Sequence, residues 1–255
     1  MARQMTNLST ADIGMLSHLV LAIDAWEKRT EAEGFGGPVT SQAAQEARDS
    51  LPRLLFDNSH LSPEQLENIA EKLSPGFGYD SGWLARLIYE TFPLADPLVL
   101  AATIRWNWWD SKIGFPFLPD PAILDTETYV ESATLLYDML LAATDYEPRR
   151  ILTGEDREFF DGLPNHFVVY RGCSGISAAK AAAGLCWTLG RDWANWFAGG
   201  SRGSPIVLMA RVRKSDLAFA IASEREVVVQ PRHVWQVKWH EQSKRPDLVS
   251  RSKLG

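Results

Sequence analysis

His166-Phe167-Val168-Val169-Tyr170-Arg171-Gly172 is the stretch on which the reading of this chain turns. Its β-branched and aromatic residues suit a strand, and nothing before it has that texture. Residues 205–212, 226–229 and 234–239 are similar runs, which makes four candidate strands. Short helices are expected between them, over 177–183 and 191–198. Upstream, from residue 10 to about 147, the chain reads as helical. Thr10 can cap a helix whose apolar positions Ile13, Leu16, Leu19, Val20 and Ile23 recur at helical spacing. Ser62-Pro63-Glu64-Gln65 is a helix start, with a capping Ser, Pro in the first turn and Gln three residues after the cap. Leu66, Ile69, Ala70 and Leu73 continue that helix, and Pro75-Gly76 stops it. Further helices are expected over 81–90, 97–110 and 127–144.

The expected fold class is therefore α+β, with a helical domain over 1–150, a strand-containing domain over 151–245 and a flexible tail over 246–255. No internal repeat and no low-complexity tract interrupts this order. At 255 residues, 45% hydrophobic and 23% charged, the composition is that of a globular protein able to bury a core. A net charge of −6 disfavours a bulk electrostatic grip on nucleic acid. The two cysteines, Cys173 and Cys186, make no disulfide framework, and free thiols are the expectation. MARQMTNLST has no apolar run of signal length, and the longest apolar stretches are too short for a bilayer. A cytoplasmic protein with no membrane partner is expected.

Several chemistries find no support. His18, His60, His166, His233 and His240 lack metal-ligand spacing, so no metal is expected. There is no Gly-rich phosphate loop of the Rossmann or P-loop kind, and no Gly-x-Ser-x-Gly elbow. Of the ten tryptophans, Trp106, Trp108 and Trp109 follow an apolar helix and read as core or domain contact.

Three segments do stand out together. They are Tyr170-Arg171-Gly172, then Cys186-Trp187-Thr188 leading to Ala194-Asn195-Trp196-Phe197-Ala198, then Glu224-Arg225-Glu226 at the head of a strand. This order resembles the Arg–Ser–Glu class of mono-ADP-ribosyltransferases, as found among bacterial and phage toxins. Those enzymes have a strand ending in Arg, a Ser-Thr-Ser strand leading into an Ala-x-x-Phe-Ala helix, and a later Glu-x-Glu. The resemblance spans residues 166 to about 235, roughly a third of the chain. It implies a small mixed β-sandwich core of the ADP-ribosyltransferase type, two packed sheets around an NAD cleft.

The resemblance also implies roles. Arg171 matches the Arg that holds the NAD phosphates and ribose, where a planar guanidinium offers paired donors. Gly172 would let the backbone pass close to the ligand. Cys186, Trp187 and Thr188 match Ser-Thr-Ser, and Phe197 belongs with them on the NAD side. Cys186 departs from the pattern, since a thiol donates poorly where Ser would orient the carboxylate. Either Thr188 takes that task or the site works with weaker support. Glu226 matches the catalytic Glu, whose charge stabilises the oxocarbenium-like sugar as nicotinamide leaves. Glu224, on the same strand face if the strand has begun there, matches the Glu that activates an acceptor. Taken singly, the plainer readings prevail elsewhere: a strand-end ion pair for Arg171, mostly core for Trp193, Trp196 and Phe197, a charged turn for Glu224-Arg225-Glu226; for Cys186 a small buried hydrophobe and a site residue weigh about equally.

The expected function is thus transfer of ADP-ribose from NAD, a consumed substrate, to a macromolecular acceptor. Protein arginine is the first expectation, with nucleic acid also within the family's range, and the biological setting is a toxin, phage or defence effector. One alternative is an NAD glycohydrolase on the same scaffold. Another is a non-catalytic binding or antitoxin-like protein that keeps the fold. The helical region would belong to the NAD fold, recognise the target, or dock an inhibitor or antitoxin.

Overall fold

Ser62 opens a helix as its sequence requires. In the computed structural model of the chain, its hydroxyl accepts from the Gln65 amide while the Gln65 side chain accepts from the Ser62 amide. The structure describes residues 16–17, 19–21, 23–24, 41–55, 57–74, 95–108, 125–141, 146–199 and 203–241. The chain divides into two units, one of Met1–Phe117 with Asp138–Thr153 and one of Leu118–Tyr137 with Gly154–Gly255. The expected boundary near 150 falls close to the last of the three crossings, between Thr153 and Gly154. The return of 118–137 to the second unit was not expected, and Tyr137 supplies a reason: its hydroxyl donates to the Asp216 carbonyl.

The first unit contains α1 (Ser41–Ser50), a 3-10 turn (Leu51–Leu55), α2 (Pro63–Lys72) and α3 (Pro97–Trp106). α3 is apolar up to its last turn, and Leu98 through Ile104 are buried without exception. Each fully buried Leu or Val there contributes about 1.5–3 kcal/mol. Asp96 caps it, with Oδ1 accepting from the Leu98 and Val99 amides and Oδ2 from Asn58. Glu67 on α2 accepts from Arg105 and from Thr153, both at 2.7 Å, and so ties α3 and the end of the unit to one carboxylate. The expected 97–110 helix closes at Trp106, with Asn107 as its cap. Trp108 is buried, Trp106 is partly exposed, and Trp109 lies outside the described residues. The expected 81–90 helix, the Pro75-Gly76 stop and the tail over 246–255 also lie outside them. Of the Thr10 helix, the described part is helical, with Leu19 and Ile23 fully buried.

The second unit holds most of α4 (Thr126–Leu140), then α5 (Gly154–Gly162), β1 (His166–Ser174), α6 (Ala178–Ala182) and β2 (Cys186–Thr188). It continues through α7 (Arg191–Gly199), β3 (Pro205–Arg213), β4 (Leu217–Ile221), β5 (Glu226–Val229) and β6 (Trp235–Glu241). Four strands were expected on their own pattern, a fifth only through the Ser-Thr-Ser match, and β4 not at all. Arg171 is also not at a strand end, because β1 runs on to Ser174.

Where a mixed sandwich was expected, the strands among the described residues form one antiparallel sheet, in the order β4-β5-β2-β1-β3-β6. Its waist is narrow. β1 and β3 pair over nine residues, whereas β1 and β2 pair at Tyr170↔Thr188 alone. β2 has only three residues, between Gly184 and Gly190, and cannot extend the ladder further. Two halves, β4-β5-β2 and β1-β3-β6, therefore share one joint, and in the fork beyond it no residue of β1 pairs with one of β2. β4 and β5 are buried at every position, and α5 packs on β4. α7 lies on β1 and β3.

Candidate functional site

The second unit gathers the motif residues at the waist of the sheet. Thr188 faces Glu226 on β5 and Tyr170 on β1 across neighbouring strands, one row of three residues. Directly opposed residues project to the same face. Glu226 thus shares a face with Thr188 and Tyr170. It is only 9% exposed, in a strand otherwise composed of valine. A carboxylate is costly to bury in such surroundings and is kept where it is paired or hydrogen-bonded.

Arg171 follows Tyr170 and leaves β1 on the opposite side by strand alternation. Its guanidinium ends at β2, in the fork where the strands part, and Nη1 donates to the Cys186 carbonyl at 2.6 Å. That carbonyl lies beyond the single β1–β2 pair, so the side chain completes the joint. Gly184 makes room for it: a Cβ there would lie 2.1 Å from Cζ of Arg171. The register therefore places Arg171 and Glu226 on opposite faces of the sheet, with β2 between their strands.

Gly172 is needed for packing. A Cβ on it would meet the Ala194 carbonyl oxygen at 1.6 Å and the Ala198 nitrogen at 2.9 Å. The two alanines of Ala194-Asn195-Trp196-Phe197-Ala198 are thus the face by which α7 lies on β1, alongside Tyr170 and Val207. Phe197 sits off that face with Trp193 and Trp196, ring centroids 6.4 and 5.0 Å away. Trp196 is 45% exposed, so this trio is less buried than a core reading expects. Asp192 lies inside the first turn of α7, where its charge suits the helix dipole.

Thr188 does more than occupy its row. Its Oγ1 lies 3.1 Å from the Glu224 carbonyl and 3.3 Å from that of Arg225, and accepts from the Gly190 amide at 3.1 Å. The Arg225 carbonyl also accepts from the Leu189 amide at 2.8 Å. Both bonds tie β2 to the turn Ala222-Ser223-Glu224-Arg225, which joins Ile221 to Glu226. Arg225 adopts a left-handed φ of 50°, which closes the turn at a cost of about 1–2 kcal/mol. Glu224 lies in this turn, ahead of β5, so strand alternation does not put it on the face of Glu226. Cys186 is half-buried and in no disulfide, and Trp187 is fully buried with Nε1 donating to the Gly184 carbonyl at 3.0 Å.

Neither family models nor curated proteins nor solved structures match this chain. The site stands on its own geometry. Among the described residues, no group of three or more His, Cys, Asp or Glu side chains is arranged to hold a metal, and no helix is long and apolar enough to cross a membrane. Sequence reading missed Gly184 as the seat of Arg171 and Asp156, whose Oδ1 accepts from the Ala222 amide at 2.7 Å. No spacing rule links either residue to its partner.

Proposed function

We propose that the second unit binds NAD at the fork between β1 and β2 and transfers its ADP-ribose to a macromolecular acceptor, protein arginine first. The observation that carries this reading is the buried Glu226 carboxylate, set opposite Thr188 at the joint of the sheet. The order of Arg171, Thr188 and Glu226 along β1, β2 and β5 supports it, as does a sheet of two halves where the resemblance implies two sheets. The dinucleotide would lie across the fork, because alternation separates Arg171 from Glu226 on a continuous face. Arg171 would hold phosphate oxygens there, Glu226 would stabilise the sugar cation as nicotinamide departs, and Glu224 would activate the acceptor. A toxin, phage or defence setting goes with that chemistry.

The test is incubation of the purified chain, and of Glu226→Gln, with NAD labelled in the adenylate. Label on a macromolecule supports transfer, and free ADP-ribose alone supports a glycohydrolase. No nicotinamide release by the unaltered chain overturns both.

A second reading has one specific observation in its favour. Arg171 already donates to the Cys186 carbonyl, and a guanidinium used to close the joint is a structural part. A non-catalytic binding protein would follow. NAD titration by calorimetry separates the cases, since binding that vanishes in Arg171→Lys supports the nucleotide role.

A further inference from the structure

We propose that Asp156, on α5 and outside all three motif segments, is a positioning residue for the turn that carries Glu224 and delivers Glu226. The inference rests on the transferase reading for the activity of those two carboxylates, but its physical basis is independent of it. Ala222, the first residue of the turn, donates its amide to Oδ1 of Asp156 at 2.7 Å. A backbone amide on a carboxylate is a charge-assisted bond, shorter and stronger than its neutral counterpart. At the other end of the turn, the Arg225 carbonyl accepts from the Leu189 amide. The four residues are thus held at both ends, by α5 on one side and by β2 on the other.

The remaining geometry makes the anchor consequential. α5 packs on β4, and β4 ends at Ile221, one residue before the anchored amide. Ile221 pairs with Glu226, so the position of Ala222 is passed across the hairpin to the carboxylate. The turn also contains a left-handed non-glycine residue, Arg225, a conformation that surrounding bonds must hold in place. Releasing Ala222 lets the turn relax toward an unstrained form and moves both glutamates. Displacements of about 1 Å at a reacting centre cost up to about a hundredfold in rate.

The experiment compares Asp156→Ala, which removes the acceptor, with Asp156→Asn, which keeps an oxygen in place. In Asp156→Ala, hydrogen exchange at the Ala222 amide is expected to accelerate about tenfold, the loss of roughly one hydrogen bond. The amides of Val227, Val228 and Val229 stay protected. Nicotinamide release is expected to fall about tenfold in kcat with little change in KM for NAD, and Asp156→Asn recovers most of both losses. Unchanged exchange at Ala222 in Asp156→Ala overturns the proposal, and so does an Asn variant no better than Ala. If the unaltered chain releases no nicotinamide, the transferase reading fails by itself, and exchange at Ala222 still decides whether Asp156 anchors the turn. Should Asp156→Ala not fold, Asp156→Glu takes its place: its longer arm is expected to shift the Ala222 amide resonance and lower kcat, and no change in either overturns the anchor.

Discussion

The guanidinium of Arg171 occupies the space that a side chain on Gly184 would fill, 2.1 Å from Cζ and 2.2 Å from Nη2. The neighbour that must yield is the far end of a flexible side chain, so a methyl group can enter without moving main chain. Gly184→Ala is therefore expected to expel the guanidinium and break its bond to Cys186 while the sheet stays folded. KM for NAD should rise about tenfold, the value of one charge-assisted contact. Steady-state kinetics of Gly184→Ala, Arg171→Ala and the double variant check this: the glycine change should add nothing once Arg171 is gone.

Gly172 is the opposite case. Its Cβ would fall 1.6 Å from a backbone oxygen of α7, and backbone cannot step aside cheaply. Gly172→Ala is expected to destabilise the second unit by about 1–3 kcal/mol through overpacking, read as a lower urea midpoint. A midpoint equal to that of the unaltered chain would show that α7 does not rest on this strand.

These two glycines mark what a sequence can and cannot say. The helix at Ser62 was legible to the residue, because a capping box is local chemistry and Ser62 and Gln65 are neighbours along the chain. β1, β3 and β5 were legible because their β-branched runs carry the strand signal in themselves. β4 was not, since Leu217-Ala218-Phe219-Ala220-Ile221 is short and two of its residues are alanine. The site divides along the same line. Arg171, Thr188 and Glu226 could be picked out by type and order, but the face each one projects from depends on strand register. Gly172 was assigned to ligand approach because nothing local shows that a helix lies on it, and Asp156 meets Ala222 only through the packing of α5 on β4.

The hydroxyl of Thr188 joins β2 to the carbonyls of Glu224 and Arg225, so its removal should act on the acceptor side of the reaction. Thr188→Val leaves the Gly190 amide without its side-chain acceptor and costs about 1–3 kcal/mol. Thr188→Ser should keep both stability and rate. Thermal melts and transfer of labelled ADP-ribose to protein measured on the pair test this, and a Val variant that transfers as well as Ser would remove Thr188 from the positioning of the turn.

Glu224→Ala is expected to spare NAD hydrolysis and reduce transfer, as the residue lies in the turn ahead of β5 and is not a member of the row of Thr188 and Glu226. Labelled ADP-ribose counted separately on protein and in solution gives the answer. Equal loss of both products would undo the acceptor role.

Asp125, ahead of α4, accepts from the Thr128 amide at 2.9 Å and from its hydroxyl at 2.8 Å. These bonds hold its carboxyl below the ordinary 3.8. A lowered carboxyl favours the folded helix end at all pH values above 3.8 and loses that effect as the pH falls through its own, lower midpoint. A carbon-13 titration should find Asp125 more ionised than free aspartate at pH 3.8. Asp125→Ala should fray the first turn at neutral pH and make no difference in strong acid.

The meeting of Tyr170 and Thr188 bears on how this unit comes apart. A ladder that narrows to one rung transmits little cooperativity from side to side. Rising denaturant should thus separate the sheet into two exchange groups, with amides of β3 opening at one concentration and those of β4 and β5 at another. Whatever fills the space between them would act as mortar, and a bound dinucleotide should merge the two openings into one.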